Sequence, residues 1–97
     1  MIFSDIIDGF FKGETNLHSG TKTAPGNLFV TGDQLIHYST PMVERYGDSY
    51  IVNLTQYSIQ TGRVQKMIKE KLVSVPYRTA RRVPRDYKGS LVDYIIE

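Results

Sequence analysis

Residues 27–58 read NLFVTGDQLIHYSTPMVERYGDSYIVNLTQYS, and this stretch decides the fold. Apolar and polar side chains alternate along it with a period of two, which is typical of strands with one buried face. Turn residues interrupt the alternation at Gly32-Asp33, Thr40-Pro41 and Gly47-Asp48. We therefore predict an antiparallel meander of three to four short strands. The best hairpin turn lies at Gly47, because glycine adopts the positive φ that such turns need.

A short helix is predicted before the meander. Its apolar residues recur at i, i+3, i+4, i+7 and i+8, and they are Phe3, Ile6, Ile7, Phe10 and Phe11. Ser4 is the expected N-cap and Gly13 the expected stop. We expect this stripe to pack on the sheet, and the alternative is a helix that binds a partner or a membrane surface.

A second, amphipathic helix is predicted after the meander. One face carries Val64, Met67, Ile68, Lys71 and Leu72. Ser58 or Thr61 is the expected N-cap, and the helix should end before Pro76. The fold class is therefore α+β, in a single small domain that spans 1–97.

Three segments lie outside these elements. Residues 14–27 are rich in Gly, Pro, Ser and Thr and are expected to form a long loop. Residues 73–88 are basic, contain two prolines and are expected to be irregular. The C-terminal SLVDYIIE is expected to dock as a short strand, with a short helix as the alternative.

The composition excludes several kinds of protein. The 97 residues include no cysteine, so disulfides and thiolate metal sites are impossible. The longest apolar runs are far shorter than the roughly 20 residues that span a bilayer. Asp5 and Asp8 interrupt the N-terminal apolar stretch, which argues against a signal peptide. We expect a soluble intracellular protein.

The residues that would carry catalysis or bind a metal are sparse. No Gly-rich phosphate loop or GxSxG turn occurs, and the two histidines, His18 and His37, are far apart. His37 could form an acid–base pair with Asp33 or Glu44, although its position in a strand favours an ordinary structural histidine. We therefore predict a non-enzyme without metal or cofactor.

One continuous stretch, residues 32–68, carries a recognisable pattern. Its residues are Leu35, Tyr38, Thr40, Pro41 and Met42, then Asn53, and then Tyr57, Ser58, Thr61 and Gln65. The pattern resembles that of a family of small phage and prophage proteins of unknown function, L-x-S-Y-x-T-P-I-A followed by Asn and Y-S-x-T-T-S-x-x-Q. This chain departs from it at Val43, Gln60 and Gly62. The resemblance implies a phage or mobile-element accessory protein in a bacterial cytoplasm.

The residues of this pattern look architectural from their chemistry. Tyr38 and Tyr57 each have a large apolar body with a hydroxyl that needs a partner. Ser58 and Thr61 suit a strand-to-helix junction, and Gln65 could hydrogen-bond back to Tyr57 or to that junction. A binding site is the alternative interpretation.

Charge is distributed unevenly along the chain, although the net charge is only +2. Residues 63–88 hold nine basic and two acidic residues, whereas residues 1–62 hold three basic and six acidic ones. The candidate partner- or nucleic-acid-binding residues are Arg63, Lys66, Lys69, Tyr77, Arg78, Arg81, Arg82, Arg85, Tyr87 and Lys88. An ordinary solvated surface is the alternative.

Three roles fit this pattern. The first is an inhibitor or modulator that docks on a host protein such as a CRISPR-type nuclease, because Tyr and Arg are enriched at interface hot spots. The second is nucleic-acid binding by residues 63–88. The third is a virion or assembly protein whose apolar ends pair with neighbouring copies.

Overall fold

The chain folds into a five-stranded sheet with two α-helices, which a computed structural model describes for residues 2–20 and 26–96. The helices are α1 (Phe3–Phe11) and α2 (Ile59–Lys71). The strands are β1 (Leu28–Thr31), β2 (Gln34–His37), β3 (Thr40–Tyr46), β4 (Ser49–Asn53) and β5 (Tyr77–Ala80). A 3-10 helix follows at Leu91–Tyr94. This architecture confirms the predicted α+β class.

The strands lie in the sheet in the order in which they occur along the chain. The first four form the predicted antiparallel meander, and β5 pairs in parallel with β4. The parallel pairing needs a crossover connection, which α2 provides. The segment 73–88 was predicted to be irregular, and that part of the prediction is wrong because it contains β5.

The turn between β2 and β3 also differs from the prediction. It lies at Tyr38-Ser39, where both residues have positive φ (48° and 65°), and not at Thr40-Pro41. A two-residue turn with two positive φ angles matches the right-handed twist of the strands, and it usually contains glycine or asparagine. Pro41 is instead the second residue of β3, opposite Ile36, where the register shifts. Such irregularities are where a strand tolerates proline.

The ends of α1 are formed by backbone groups. The N-cap is Ile2, without a side-chain hydrogen bond, and Ser4 lies inside the helix, so the predicted serine cap is wrong. At the other end Gly13 has a φ of 86° and is the stop that the sequence predicted. The amide of Glu14 donates to the carbonyl of Gly9 at 2.9 Å, which closes the helix in a Schellman motif.

The two faces of the sheet are covered by different parts of the chain. Both helices pack on one face, so the apolar stripe of α1 is part of the core, as predicted. The main core contains Ile6, Ile7, Phe10, Leu28, Leu35, Met42, Val43, Val52, Val64 and Ile68, all at most 2% exposed. The segment after β5 covers the other face with a smaller cluster of Ile51, Ala80, Val83 and Leu91. The C-terminus forms a 3-10 helix, the short-helix alternative, and the expected strand is reduced to an isolated bridge between Ile95 and Ala80.

The loop 14–27 is partly tied to the sheet. Leu17 is buried in the main core, and backbone hydrogen bonds join Leu17 to Val30 and Ser19 to Leu28. His18 thereby forms a bridge beside β1. Positions 21–25 of the predicted loop lie outside the described residues.

Arg45 on β3 fixes the C-terminal end of α1. Its Nη2 donates to the carbonyls of Phe10 at 2.7 Å and Glu14 at 2.9 Å, and its guanidinium lies 4.3 Å from the centroid of the Phe10 ring. A cation at this end of a helix is favoured by the free carbonyls and the helix dipole. The side chain is only 18% exposed, so these bonds are little screened by water.

Replacing Arg45 by alanine should lower the free energy of unfolding by about 2–3 kcal/mol, because the carbonyl of Phe10 in α1 and that of Glu14 just after the helix lose a charged donor. Urea denaturation followed by circular dichroism measures this change. Arg78→Ala is the matched control, since Arg78 is an exposed arginine on β5. Equal unfolding midpoints for the two variants would contradict this role of Arg45.

Candidate functional site

The ten predicted binding residues lie at the surface, where only Tyr87 is half-buried, but they do not form one patch. Lys66, Lys69 and Arg81 line one groove with a volume of about 530 Å³, between α2 and the segments around Leu54 and Arg81. Arg63 lies one helical turn before Lys66 on the exposed side of α2. We call the groove lined by Lys66, Lys69 and Arg81 the cationic groove.

The cationic groove has a mixed lining. Nη1 of Arg81 donates to the carbonyl of Leu54 at 3.4 Å, which holds this side chain beside α2. Glu70 is the one acidic side chain in the lining, and Val73 is 85% exposed at its edge. The groove therefore presents positive charge together with accessible apolar surface.

Other predicted binding residues lie elsewhere. Tyr77 and Arg78 stand at the start of β5, where Tyr77 pairs with Tyr50. Ala80 stands at the other end of β5, next to Arg81, and pairs with Asn53. Tyr77 and Arg78 are two to three residues away from it, or roughly 10 Å along the strand. Arg82 and Lys88 are exposed in the segment that crosses the far face of the sheet.

Tyr87 is partly buried and packs against the small core of that far face. Its ring packs edge-to-face on Tyr94 with centroids 5.0 Å apart. Its hydroxyl donates to Asp93 at 2.7 Å, and this hydrogen bond raises the pKa of Tyr87 to about 12. These contacts assign Tyr87 a structural role in the fold.

Four residues of the phage-like pattern, Pro41, Asn53, Tyr57 and Gln65, form one hydrogen-bonded network centred on Asn53. This side chain is fully buried at the end of β4. Its Nδ2 donates to the carbonyl of Pro41 at 2.9 Å and to the hydroxyl of Tyr57 at 3.0 Å, and its Oδ1 accepts from the amide of Thr55. A buried amide with these partners joins β3, β4 and the approach to α2.

Tyr57 and Gln65 extend this network in two directions. The Tyr57 hydroxyl donates to the carbonyl of Val83 at 2.6 Å, which ties the segment after β5 to the junction. Gln65 on α2 donates to the carbonyls of Asn53 at 2.9 Å and Thr55 at 2.8 Å. The structure therefore gives Gln65 a bond to the strand-to-helix junction, one of the two partners that the sequence suggested.

A chain of polar groups caps α2 and reaches His37. Ser58 is the N-cap, and its Oγ accepts from the amide of Thr61 at 3.2 Å. Thr61 Oγ1 lies 3.2 Å from that oxygen and 3.1 Å from Nδ1 of His37. When the Ser58 hydroxyl donates to Thr61, the Thr61 hydroxyl is free to donate to Nδ1 of a neutral His37.

His37 is buried and hydrogen-bonded to Thr61, which agrees with the structural histidine that its position in a strand favoured. Burial lowers the pKa of His37 below its ordinary value of 6.5. It does not contact the acidic partners considered from the sequence: Glu44 binds Gln34, Ser90 and Leu91 instead. The alternation of β2 places His37 on the same face as the buried Leu35.

A polar cleft opens at this junction, and we call it the motif cleft. Its volume is about 350 Å³. Five lining residues belong to the phage-like pattern, and three do not: the former are Tyr38, Thr40, Tyr57, Ser58 and Thr61, and the latter are His37, Arg85 and Asp86. The amide of Asp86 donates to Oγ1 of Thr40 at 3.0 Å, which holds Arg85 and Asp86 at the rim. Of the predicted basic residues, Arg85 alone lines this cleft.

Tyr38 separates the motif cleft from a second one. The second cleft, also about 350 Å³, shares His37 and Tyr38 with the first and adds Gln60 and Arg63. Tyr38 is 49% exposed, and its hydroxyl donates to Oε1 of Gln60 at 3.3 Å. The half-exposed ring of Tyr38 therefore separates two clefts, and each cleft is lined by one arginine.

Two absences hold within residues 2–20 and 26–96. No group of three or more His, Cys, Asp or Glu side chains is arranged to hold a metal ion. Neither described helix is both long and apolar enough to traverse a bilayer.

Replacing Tyr57 by phenylalanine should destabilise the protein by about 1–3 kcal/mol, because the buried Asn53 amide and the Val83 carbonyl both lose a partner. The free energy of unfolding in urea is the measurement. Tyr77→Phe removes a hydroxyl from an exposed ring and should change stability by less than about 0.5 kcal/mol. Similar losses in the two variants would disprove the role of Tyr57.

Stability should fall with acid partly through His37. Its pKa is lowered in the folded state, so the unfolded chain binds the proton more readily as the pH drops below 6.5. The stabilisation is fully present above that pH and is lost as the pH falls towards the folded-state pKa. The urea midpoint, measured from about pH 8 to about pH 5, should depend less steeply on pH in His37→Gln than in the wild type. An unchanged slope in His37→Gln would refute the prediction.

Comparison with known proteins gives no independent guide to this site. No family model, curated protein or solved structure matches the chain. The resemblance of residues 32–68 to small phage proteins therefore stays a prediction, and the inferences about function rest on the geometry of the clefts and the cationic groove.

Proposed function

We propose that this chain is a non-catalytic protein that acts by binding, and that the cationic groove docks on an acidic surface of a partner protein. The observation that carries the proposal is the meeting of Lys66 and Lys69 from α2 with Arg81 from the end of β5. Lys66 and Lys69 lie on α2, and Arg81 directly follows β5, where its hydrogen bond to the Leu54 carbonyl holds its side chain beside the helix. The two segments thus present their positive charges to one groove.

The lining of the cationic groove favours a protein over a nucleic acid as the partner. It contains no aromatic ring on which a base could stack, and it includes the apolar side chains of Leu54 and Val73. Protein interfaces combine such apolar surface with arginine and a polar rim. Phosphates, in contrast, are bound by dense positive charge, and Glu70 weakens the field here.

The phage-like pattern suggests which class of protein that partner belongs to. A small phage accessory protein in a bacterial cytoplasm meets host defence proteins, so the proposed role is that of an inhibitor or modulator of a host protein such as a CRISPR-type nuclease. Effectors of this kind have basic nucleic-acid channels, which a cationic inhibitor does not mimic. The proposed contact is therefore with an acidic patch outside the channel.

Nucleic-acid binding is the second candidate, and one observation favours it. Arg63, Lys66 and Lys69 lie along α2 and Arg81 lies across the cationic groove from it, so a nucleic-acid backbone could contact several cations at once. The third role, a virion or assembly protein, depended on exposed apolar ends. Ile6, Ile7 and Phe10 of the N-terminal end are fully buried, whereas Val92 and Ile96 of the C-terminal end are 42% and 58% exposed, so only the C-terminal end still supports this role.

Charge reversal of the cationic groove tests the proposal. The triple variant Lys66→Glu, Lys69→Glu and Arg81→Glu should lose binding to a purified effector nuclease, and with it any inhibition of DNA cleavage. The control Arg78→Glu changes an exposed arginine at the start of β5 and should bind and inhibit as the wild type does. Binding is measured by calorimetry, after circular dichroism shows that both variants fold.

The outcomes separate the candidates. Inhibition that survives in the triple variant would contradict docking through the cationic groove. A mobility shift with single-stranded or duplex DNA at about 50 mM salt, lost in the triple variant and at higher salt, would favour the nucleic-acid candidate instead.

A further inference from the structure

The motif cleft has features that neither the fold nor the docking of a partner explains. Its volume of about 350 Å³ lies within the range of small-ligand sites, which begins at roughly 300 Å³. It is lined almost entirely by polar and aromatic side chains. Several of these are engaged within the protein, as Tyr57 is with Val83 and Thr61 with His37. The groups that remain available therefore define what the cleft could hold.

Three side chains keep an available surface. The ring of Tyr38 is 49% exposed and lines both clefts. Its centroid lies 4.5 Å from that of the His37 ring in a T-shaped arrangement. Arg85 and Asp86 are exposed at the rim and make no side-chain hydrogen bond or ion pair with any residue in the ranges 2–20 and 26–96. The motif cleft thus offers a flat aromatic face, a free guanidinium and a free carboxylate.

The backbone at the rim is strained. Tyr38, Ser39 and Asp86 all have positive φ (48°, 65° and 58°), a conformation that non-glycine residues seldom adopt. The amide of Asp86 is held by Thr40, and Tyr38 is held by Gln60. Residues kept in such conformations by their surroundings are concentrated at ligand sites, where the strain fixes the orientation of side chains.

We propose that the motif cleft binds a nucleoside monophosphate unit, either as a free nucleotide or as one residue of a single strand. The base stacks on the exposed face of Tyr38, since such stacking accepts any base. The phosphate binds the guanidinium of Arg85, whose forked donors match phosphate oxygens. The carboxylate of Asp86 accepts from a sugar hydroxyl or an exocyclic amine of the base.

The alternatives use only part of the cleft. An inorganic phosphate would bind Arg85 and leave the Tyr38 ring without a partner. A nucleoside would stack on Tyr38 and leave the guanidinium unpaired. The nucleotide unit engages all three available groups, and the second arginine, Arg63 in the neighbouring cleft, adds positive charge on the other side of the Tyr38 wall.

The site can be tested on the intact chain by two-dimensional amide NMR titration with AMP, adenosine, inorganic phosphate and a short oligo-dA strand. AMP should shift the amides of Tyr38, Ser39 and Asp86, with an affinity in the micromolar to millimolar range and above that of adenosine or phosphate. Arg85→Ala should weaken AMP binding by at least roughly tenfold. Tyr38→Asn removes the ring while tolerating the left-handed backbone, and it should weaken binding by roughly tenfold.

Two controls keep the test decisive. Tyr38→Phe keeps the ring and should retain binding, and Arg78→Ala, which changes an exposed residue of β5, should bind as the wild type does. Tighter binding of oligo-dA than of AMP identifies a single strand as the source of the unit, and the reverse identifies a free nucleotide. The proposal is overturned if neither AMP nor the strand shifts the cleft amides, if phosphate alone binds as tightly as AMP, or if Arg85→Ala binds normally.

This site is independent of the docking proposed above. The residues reversed to test the cationic groove, Lys66, Lys69 and Arg81, do not line the motif cleft. The triple charge-reversal variant should therefore bind AMP within about twofold of the wild type, because screening at physiological salt reduces the effect of charges beyond about 8 Å. Loss of partner binding with retained AMP binding, or the reverse, shows which of the two proposals fails.

Discussion

The buried amide of Asn53 is the constraint on which the junction between sheet and helix depends. Its Nδ2 and Oδ1 satisfy the Pro41 carbonyl, the Tyr57 hydroxyl and the Thr55 amide at a point where the chain leaves the sheet. Backbone groups at the end of a strand lose their ladder partners and would be costly to bury unpaired. The carbonyl of Asn53 is in turn satisfied by Gln65 from α2. One residue therefore fixes β4, β3 and the start of α2 relative to one another.

The same network explains why a cleft exists beside the junction. The Tyr57 hydroxyl donates to the carbonyl of Val83, and this hydrogen bond holds the segment after β5 across the end of the sheet. That segment then returns along the rim, where Thr40 accepts from the amide of Asp86. The segment after β5 is held at these two hydrogen bonds. The space between the two bonds and α2 is not filled, so a cleft remains there. Tyr57 and Thr40, which make these two contacts, are consequently part of the lining of the motif cleft.

The sequence predicted local structure well and non-local structure poorly. The alternation of residues 28–54 predicted the meander, and Gly13 and Gly47 marked a helix stop and a hairpin because their backbones need positive φ. The turn at Tyr38-Ser39 was missed because it has the same geometry without glycine. β5 was missed because a four-residue parallel strand is defined by its pairing with β4 across a helix, and YRTA carries no alternation that distinguishes it.

The candidate binding surfaces show the same difference between local and non-local prediction. Proximity in sequence suggested one basic surface over residues 63–88, but strand geometry distributes its members. Arg78 and Arg81 are only three residues apart, yet β5 carries Arg78 to the start of the strand and leaves Arg81 beside α2. Arg85, four residues further on, reaches a different cleft because the chain has by then passed the Tyr57 contact. The number of charges in a sequence segment thus describes its composition. The number of cations that one partner can contact depends instead on where the strands and turns place each cation.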